Sequence, residues 1–129
     1  MANRARDWFA QADKDLELAG LAQAHGSHEW VCFAAQQSAE KAVKALHLHL
    51  GQEAWGHAVA RLLRKLPEAA PDDLVDRGKV LDNFYVPSRC PNGHPEGAPF
   101  EHYGQPHSTE ALEHAREIIA FVSAQMAGS

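Results

Sequence analysis

Apolar residues recur at spacings of three and four along most of this chain, and over no useful length do they alternate with period two. Residues 5–24 carry one stripe of Trp8, Phe9, Ala12, Leu16 and Ala19, with Asp7, Asp13, Lys14 and Glu17 on the other face. Gly26 and Ser27 interrupt the pattern, and Ser27 is placed to cap a second helix. That helix spans 28–50, with Val31, Ala35, Ser38, Ala39, Ala42, Val43 and Leu46 inward, ending at Leu50. Gly51 stands where a C-terminal glycine belongs. Small residues dominate the stripe, so another helix can approach closely. A short third helix is expected over 56–66, with Ala58, Leu62, Leu63 and Leu66 inward, stopped by Pro67. Pro71, Asp72 and Asp73 open a fourth, whose apolar face is Leu74, Val75, Leu81 and Phe84. Ser108 or Thr109 caps the last, striped by Ala111, Leu112, Ala115, Ile118, Ile119, Val122 and Met126. The pattern predicts an all-α antiparallel bundle of four main helices plus one short helix, the first two forming a long hairpin.

One stretch cannot be regular helix. Residues 85–103, YVPSRCPNGHPEGAPFEHY, place Pro87, Pro91, Pro95 and Pro99 at every fourth position, with Gly93 and Gly97 between them. Proline lacks an amide donor and pushes the residue before it out of helical geometry, so 85–106 reads as a long proline-rich loop before the last helix. Unstructured loops longer than about 12–15 residues are uncommon in compact domains and are often functional. This one carries Tyr85, Arg89, Cys90, His94, His102 and Tyr103.

Composition narrows the partners. A chain of 129 residues suits a single domain spanning 1–129, with a real core. A net charge of −5 argues against broad, non-specific binding to a nucleic-acid backbone, so no DNA is expected, while a local basic pocket stays open. Two cysteines give no disulfide framework, and no apolar run approaches a membrane span or a secretory core, so the expected setting is cytoplasmic, away from membranes. Nine histidines are many for this length. Cys90, His94, His102 and His107 are therefore candidate zinc ligands, but their Cys-x3-His-x7-His-x4-His spacing is not that of a standard finger. No metal and no cofactor are expected.

The segments AQQSAEKAVKALHLHLG, GHAVARLLRKL and YVPSRCPNGHPEGAPFEHY resemble, in that order and spacing, the HEPN domain family. The resemblance covers nearly the whole chain and is nearest to the small prokaryotic HEPN proteins and the HEPN domain of sacsin. Its most specific element is the run Tyr85, Pro87, Arg89, Pro91; the pair Glu40–Lys41, with Lys44 one turn on, is the second. The resemblance implies a helical bundle that homodimerises through its long helices and is associated with nucleotide or RNA. It also implies a partner for many small prokaryotic members, a minimal nucleotidyltransferase (MNT), in some cases as a toxin–antitoxin pair. A subset of the family are metal-independent ribonucleases. They carry an arginine followed four to six residues later by a histidine, two such motifs meeting across the dimer.

Three readings follow. In a nucleotide- or RNA-binding dimeric module, Lys41, Lys44 and Arg89 hold phosphate and Tyr85 or Tyr103 stacks on a base. In a metal-independent endoribonuclease, Arg89 stabilises charge on the phosphate and His94 moves the proton. Arg89 and His94 have the family's spacing, with four residues between them, although Pro91, Gly93 and Pro95 depart from the helical setting usual for that motif. In the third, the chain is a structural or regulatory interaction domain and Arg89 only anchors the loop, through carbonyls or Glu101. The aromatic residues Trp8, Phe9, Trp30, Phe33, Phe84, Phe100 and Phe121 are assigned to core or dimer interface.

Overall fold

The computed structural model describes residues 3–85 and 88–128; Pro87 of the signature run lies outside them. Six α-helices follow one another: α1 (Ala5–His25), α2 (His28–His49), α3 (Val59–Arg64), α4 (Asp72–Asp82), α5 (Pro99–His102) and α6 (Gln105–Ala127). The four long ones are α1, α2, α4 and α6, and no strand occurs among the described residues. The all-α bundle expected from the periodicity is the fold.

The centre of the bundle is α2. α1 and α6 pack on it along its length, while α3 and α4 pack on each other and close its C-terminal half. Every position of the inward stripe from Val31 to Leu46 is buried. Alanines at 35, 39 and 42 let α1 come close enough for Ser38 Oγ to donate to the Ala12 carbonyl across the interface, at 2.9 Å. From α6, Ala111, Ala115, Ile118 and Val122 complete the core. His47, also buried, joins α2 to α3: its Nε2 lies 2.8 Å from the Leu62 carbonyl and its Nδ1 3.0 Å from Gln52 Oε1.

Both long helices of the hairpin end in the same way. Gly26 at φ 85° lets its N–H reach the Gln23 carbonyl and the Ser27 N–H reach Ala22, and Gly51 at φ 79° does the same for Leu48 and His47. These are paired closures of orphan helix carbonyls, and they need a residue without a Cβ clash.

Four local expectations shift. Ser27 sits at the N-cap of α2, but its hydroxyl meets His25 Nδ1 at 2.9 Å instead of capping the helix. Leu50 is exposed, because α2 has already closed at His49. α3 occupies only Val59–Arg64, shorter than the 56–66 expected. α6 begins at Gln105 rather than at Ser108 or Thr109, since Pro106 suits a first turn that needs no donor there and His107 Nδ1 accepts the Gly104 N–H at 3.1 Å. Ser108 is buried instead, bonded to Gln105, His28 and Gln23. Within the proline-rich stretch two short turns form, a 3-10 turn at Pro91–Gly93 and the single turn α5. No helix among the described residues is long and apolar enough to cross a membrane.

None of the ten aromatic side chains is fully buried. The core is aliphatic, and Trp8, Trp30, Trp55 and Phe100 are exposed.

Candidate functional site

Arg89 leaves the end of α4 on a short tether. Buried Ser88 donates its hydroxyl to the Phe84 carbonyl, and Arg89 Nε donates to the Tyr85 carbonyl at 3.1 Å. The guanidinium then lies over two rings, with its carbon 4.8 Å from the centroid of Phe33 and 4.8 Å from that of Tyr85. It is exposed, and among the described residues no carboxylate pairs with it, Glu101 included. Around it the rings are continuous. Trp30 meets Phe33 edge-on at 6.0 Å, Phe33 meets Tyr85 at 6.2 Å, and the His57 imidazole stacks on Tyr85 at 5.4 Å and 17°.

The two lysines are otherwise engaged. Lys41 Nζ is 2.5 Å from Asp15 on α1, a half-buried pair. Lys44 Nζ is 3.1 Å from Glu40 Oε2, one turn back, and 5.7 Å from the Trp8 ring. No described contact joins either lysine to Arg89. Glu40 itself is buried; His57 Nδ1 reaches the same Oε2 at 3.3 Å, while Oε1 has no hydrogen-bond partner among the described residues.

His94 belongs to a different cluster. Its ring stacks on His102 at 3.9 Å and 4°, and meets Tyr103 edge-on at 5.9 Å. Tyr103 in turn contacts Phe84 and His107, and His102 Nε2 donates to the Glu96 carbonyl at 2.6 Å. Phe84 and Tyr85 are chain neighbours whose rings point into opposite clusters, which is how Arg89 and His94 come to separate settings despite their sequence spacing. Among the described residues no group of three or more His, Cys, Asp or Glu is arranged to hold a metal. Parallel rings such as those of His94 and His102 do not aim their nitrogens at one point. Burial, then Cys32, raises the Tyr103 hydroxyl pKa. Cys32 is pushed up to about 12 by burial first and then by Glu110 and Glu29, which makes it a poor nucleophile.

The sequence did not announce the groups that support this face. Asp82, at the end of α4, accepts the Val59 N–H at 2.7 Å and the Ala60 N–H at 3.1 Å, capping α3 from another helix. Gln36, fully buried, donates to the His57 carbonyl at 2.9 Å. One signal was available: Gly56-His-Ala-Val offers no side-chain cap for α3, so its acceptor had to come from elsewhere in the fold.

Comparison with known proteins decides the family. The family model described as HEPN domain matches residues 5–125. The chain belongs to the HEPN family. TT1696 from Thermus thermophilus is 48% identical, covers 96% of this chain and 99% of its own, and superposes with a TM-score of 0.93. ST0689, an archaeal HEPN homologue, is 39% identical over 97% of this chain and 99% of its own, at 0.85. A HEPN domain protein (tm0613) from Thermotoga maritima is 32% identical over 92% and 95%, at 0.75. A comparison with curated proteins finds no match. The HEPN scaffold of this chain therefore carries an exposed arginine on a shelf of rings, backed by a buried carboxylate.

Proposed function

We propose that this HEPN chain is a nucleotide- or RNA-binding module that works as a homodimer, with Arg89 taking the phosphate. The observation behind this reading is the state of Arg89, exposed, flat against Phe33 and Tyr85, and without a carboxylate partner among the described residues. A guanidinium offers donors in a planar fork that matches phosphate oxygens. Because Nε is spent on the Tyr85 carbonyl, the terminal nitrogens remain for the ligand. Resting on two rings already restrains the side chain, so less freedom is lost on binding. Tyr85, already contacted by Arg89 and stacked against His57, is the ring beside which the base sits. Lys41 and Lys44 are held by Asp15 and Glu40, whose charges offset theirs, so the phosphate falls to Arg89.

The dimer is inferred from the α1–α2 hairpin. Leu18, Leu21 and Trp30 are exposed there, and Leu18 and Trp30 line a groove with Phe33 and Lys41. A partner on that groove would bring a second Arg89 towards the first. An MNT-type nucleotidyltransferase, as the other half of a toxin–antitoxin pair, is proposed on family grounds alone.

Thermal unfolding with AMP, ATP or a short RNA tests the ligand. Wild type should be stabilised and Arg89→Ala should not; a wild type indifferent to all three ligands refutes the reading. Sedimentation at micromolar concentration tests the dimer, and a monomer refutes it. The endoribonuclease reading ranks second, because the ring contacts of Arg89 and His94 fall in different clusters. Cleavage of RNA in EDTA, lost in both Arg89→Ala and His94→Ala, would reverse that order.

A further inference from the structure

At the C-terminal end of α2, about 20 Å along the helix from Phe33, lies a cavity of about 480 Å³. That is the size of a site for a small organic molecule. Leu46 and Leu50 of α2 wall it, with Leu66 and Glu68 just past α3 and Phe121 and Ala124 from α6. Phe121 and Ala124 share a face of α6 because they stand three residues apart. Leu46 and Leu66 are buried and make the floor, while Leu50, 40% exposed, and exposed Ala124 stand at the mouth.

The walls are apolar, but the field at them has one sign. Two long helices, α2 and α6, end at this cavity, and the turn after α3 closes it. A helix C-terminus carries roughly half a negative elementary charge, which a cation in the last turn commonly answers. The last turn of α6 holds no basic residue, and no lysine, arginine or histidine lines the cavity. The one charged side chain that lines it is Glu68, which is exposed and has no ion-pair partner among the described residues. Phe121 adds a ring, whose face also attracts a cation. Such walls repel a carboxylate or a phosphate. They suit an ammonium group at the rim whose carbon chain lies on the apolar floor.

We infer that this cavity binds a small amphipathic amine, its ammonium at Glu68 and its hydrocarbon body on Leu46, Leu66 and Phe121. The site lies apart from the Arg89 shelf and has the opposite charge preference, so neither reading depends on the other. Burying the hydrocarbon supplies most of the affinity, and the charge supplies the selectivity.

The test is a two-dimensional NMR titration of the full chain at low salt with n-hexylamine, 1-hexanol and hexanoate, three probes with one carbon chain and different charge. Hexylamine should bind about 5-fold or more tighter than hexanol, through Glu68 and the helix ends together. Its shifts should centre on Glu68 and Ala124, and hexanoate should give none there. Glu68→Gln should weaken hexylamine about 1.5- to 5-fold and leave hexanol unchanged, the range for one exposed ion pair. Ala124→Leu keeps a good helix former at an exposed position but puts a larger side chain across the mouth. It should abolish binding of both probes, with its helix content verified by circular dichroism. Four results would each overturn the assignment: hexanoate binding as tightly as hexylamine, an amine preference intact in Glu68→Gln, wild-type hexylamine binding in folded Ala124→Leu, or no shifts with hexylamine at millimolar concentration.

Discussion

Replacing Asp82 by alanine removes the only side-chain acceptor that the start of α3 has among the described residues. A helix leaves its first N–H groups without intrahelical partners, and α3, at six residues, is too short to hold together without help. Asp82 takes two of those donors, from Val59 at 2.7 Å and Ala60 at 3.1 Å. Val59 is fully buried and Ala60 5% exposed, so water replaces the lost carboxylate poorly. Each hydrogen bond to a charged acceptor contributes about 1.5–3 kcal/mol, and loss of an N-cap costs about 0.5–2. Because the two bonds share one carboxylate they do not add in full, and we expect Asp82→Ala to cost about 2–4 kcal/mol. For a chain of 129 residues that lowers Tm by about 8–16 °C, measured by calorimetry. Asp82→Asn keeps one acceptor and should lose about half as much. Asp76, exposed and paired only with Lys79 at 3.3 Å among the described residues, is the control; Asp76→Ala should move Tm by less than about 2 °C. A Tm for Asp82→Ala within that same margin of wild type would show that α3 does not depend on this cap. His57, stacked on Tyr85, lies just ahead of Val59, so the variant should also weaken whatever Arg89 and Tyr85 bind.

Two further outcomes follow from packing and burial. Gly78, in the middle of α4, faces the start of α3 so closely that a Cβ there would lie 3.0 Å from the Ala60 nitrogen and 3.2 Å from Val59 Cγ1; Gly78→Ala should therefore lower stability by about 1–3 kcal/mol in urea titration, despite alanine's better helix propensity, and a rise would refute the close contact. Native protein should react with a thiol reagent at half-exposed Cys90 and not at buried Cys32, two thiols appearing only in denaturant. The Cys32 pKa is raised on folding, from 9.0 to about 12, so its share of stability is intact below about pH 9 and is lost as pH climbs towards 12; Cys32→Ala should flatten that alkaline decline.

The bundle was legible because helical periodicity is a property of neighbours in sequence. The stripe from Val31 to Leu46 is buried since residues three and four apart must share a face, and α2 is surrounded by α1, α3, α4 and α6. The prolines correctly marked a stretch with no long helix, although proline at the first turn also permits the short α5 and the early start of α6. Arg89 was singled out by its surroundings in sequence, the run Tyr85, Pro87, Arg89, Pro91. Its neighbours in space were not, because Phe33 and His57 come from other elements and nothing in the chain order joins them to Tyr85. Asp82 was missed for the same reason: its partners lie more than twenty residues back, at 59 and 60.

Periodicity also cannot say whether an apolar face is covered, and the aromatics turn on that distinction. Trp8 and Phe9 fit the α1 stripe as well as Ala12 and Ala19 do, yet only the alanines are fully buried. The reason is the closeness of α1 and α2: a helix pair drawn together by alanines and a Ser38–Ala12 hydrogen bond has no room for an indole between its axes, so large rings are displaced to the margins. There they meet one another and Arg89. A fold whose core is aliphatic loses little when an exposed ring is removed, while any ligand that uses those rings loses much. Exposed Arg89 and Trp30 can therefore be substituted to ask about binding without first asking whether the bundle survives, a separation that Asp82 and Glu40, which are held by buried contacts, do not allow.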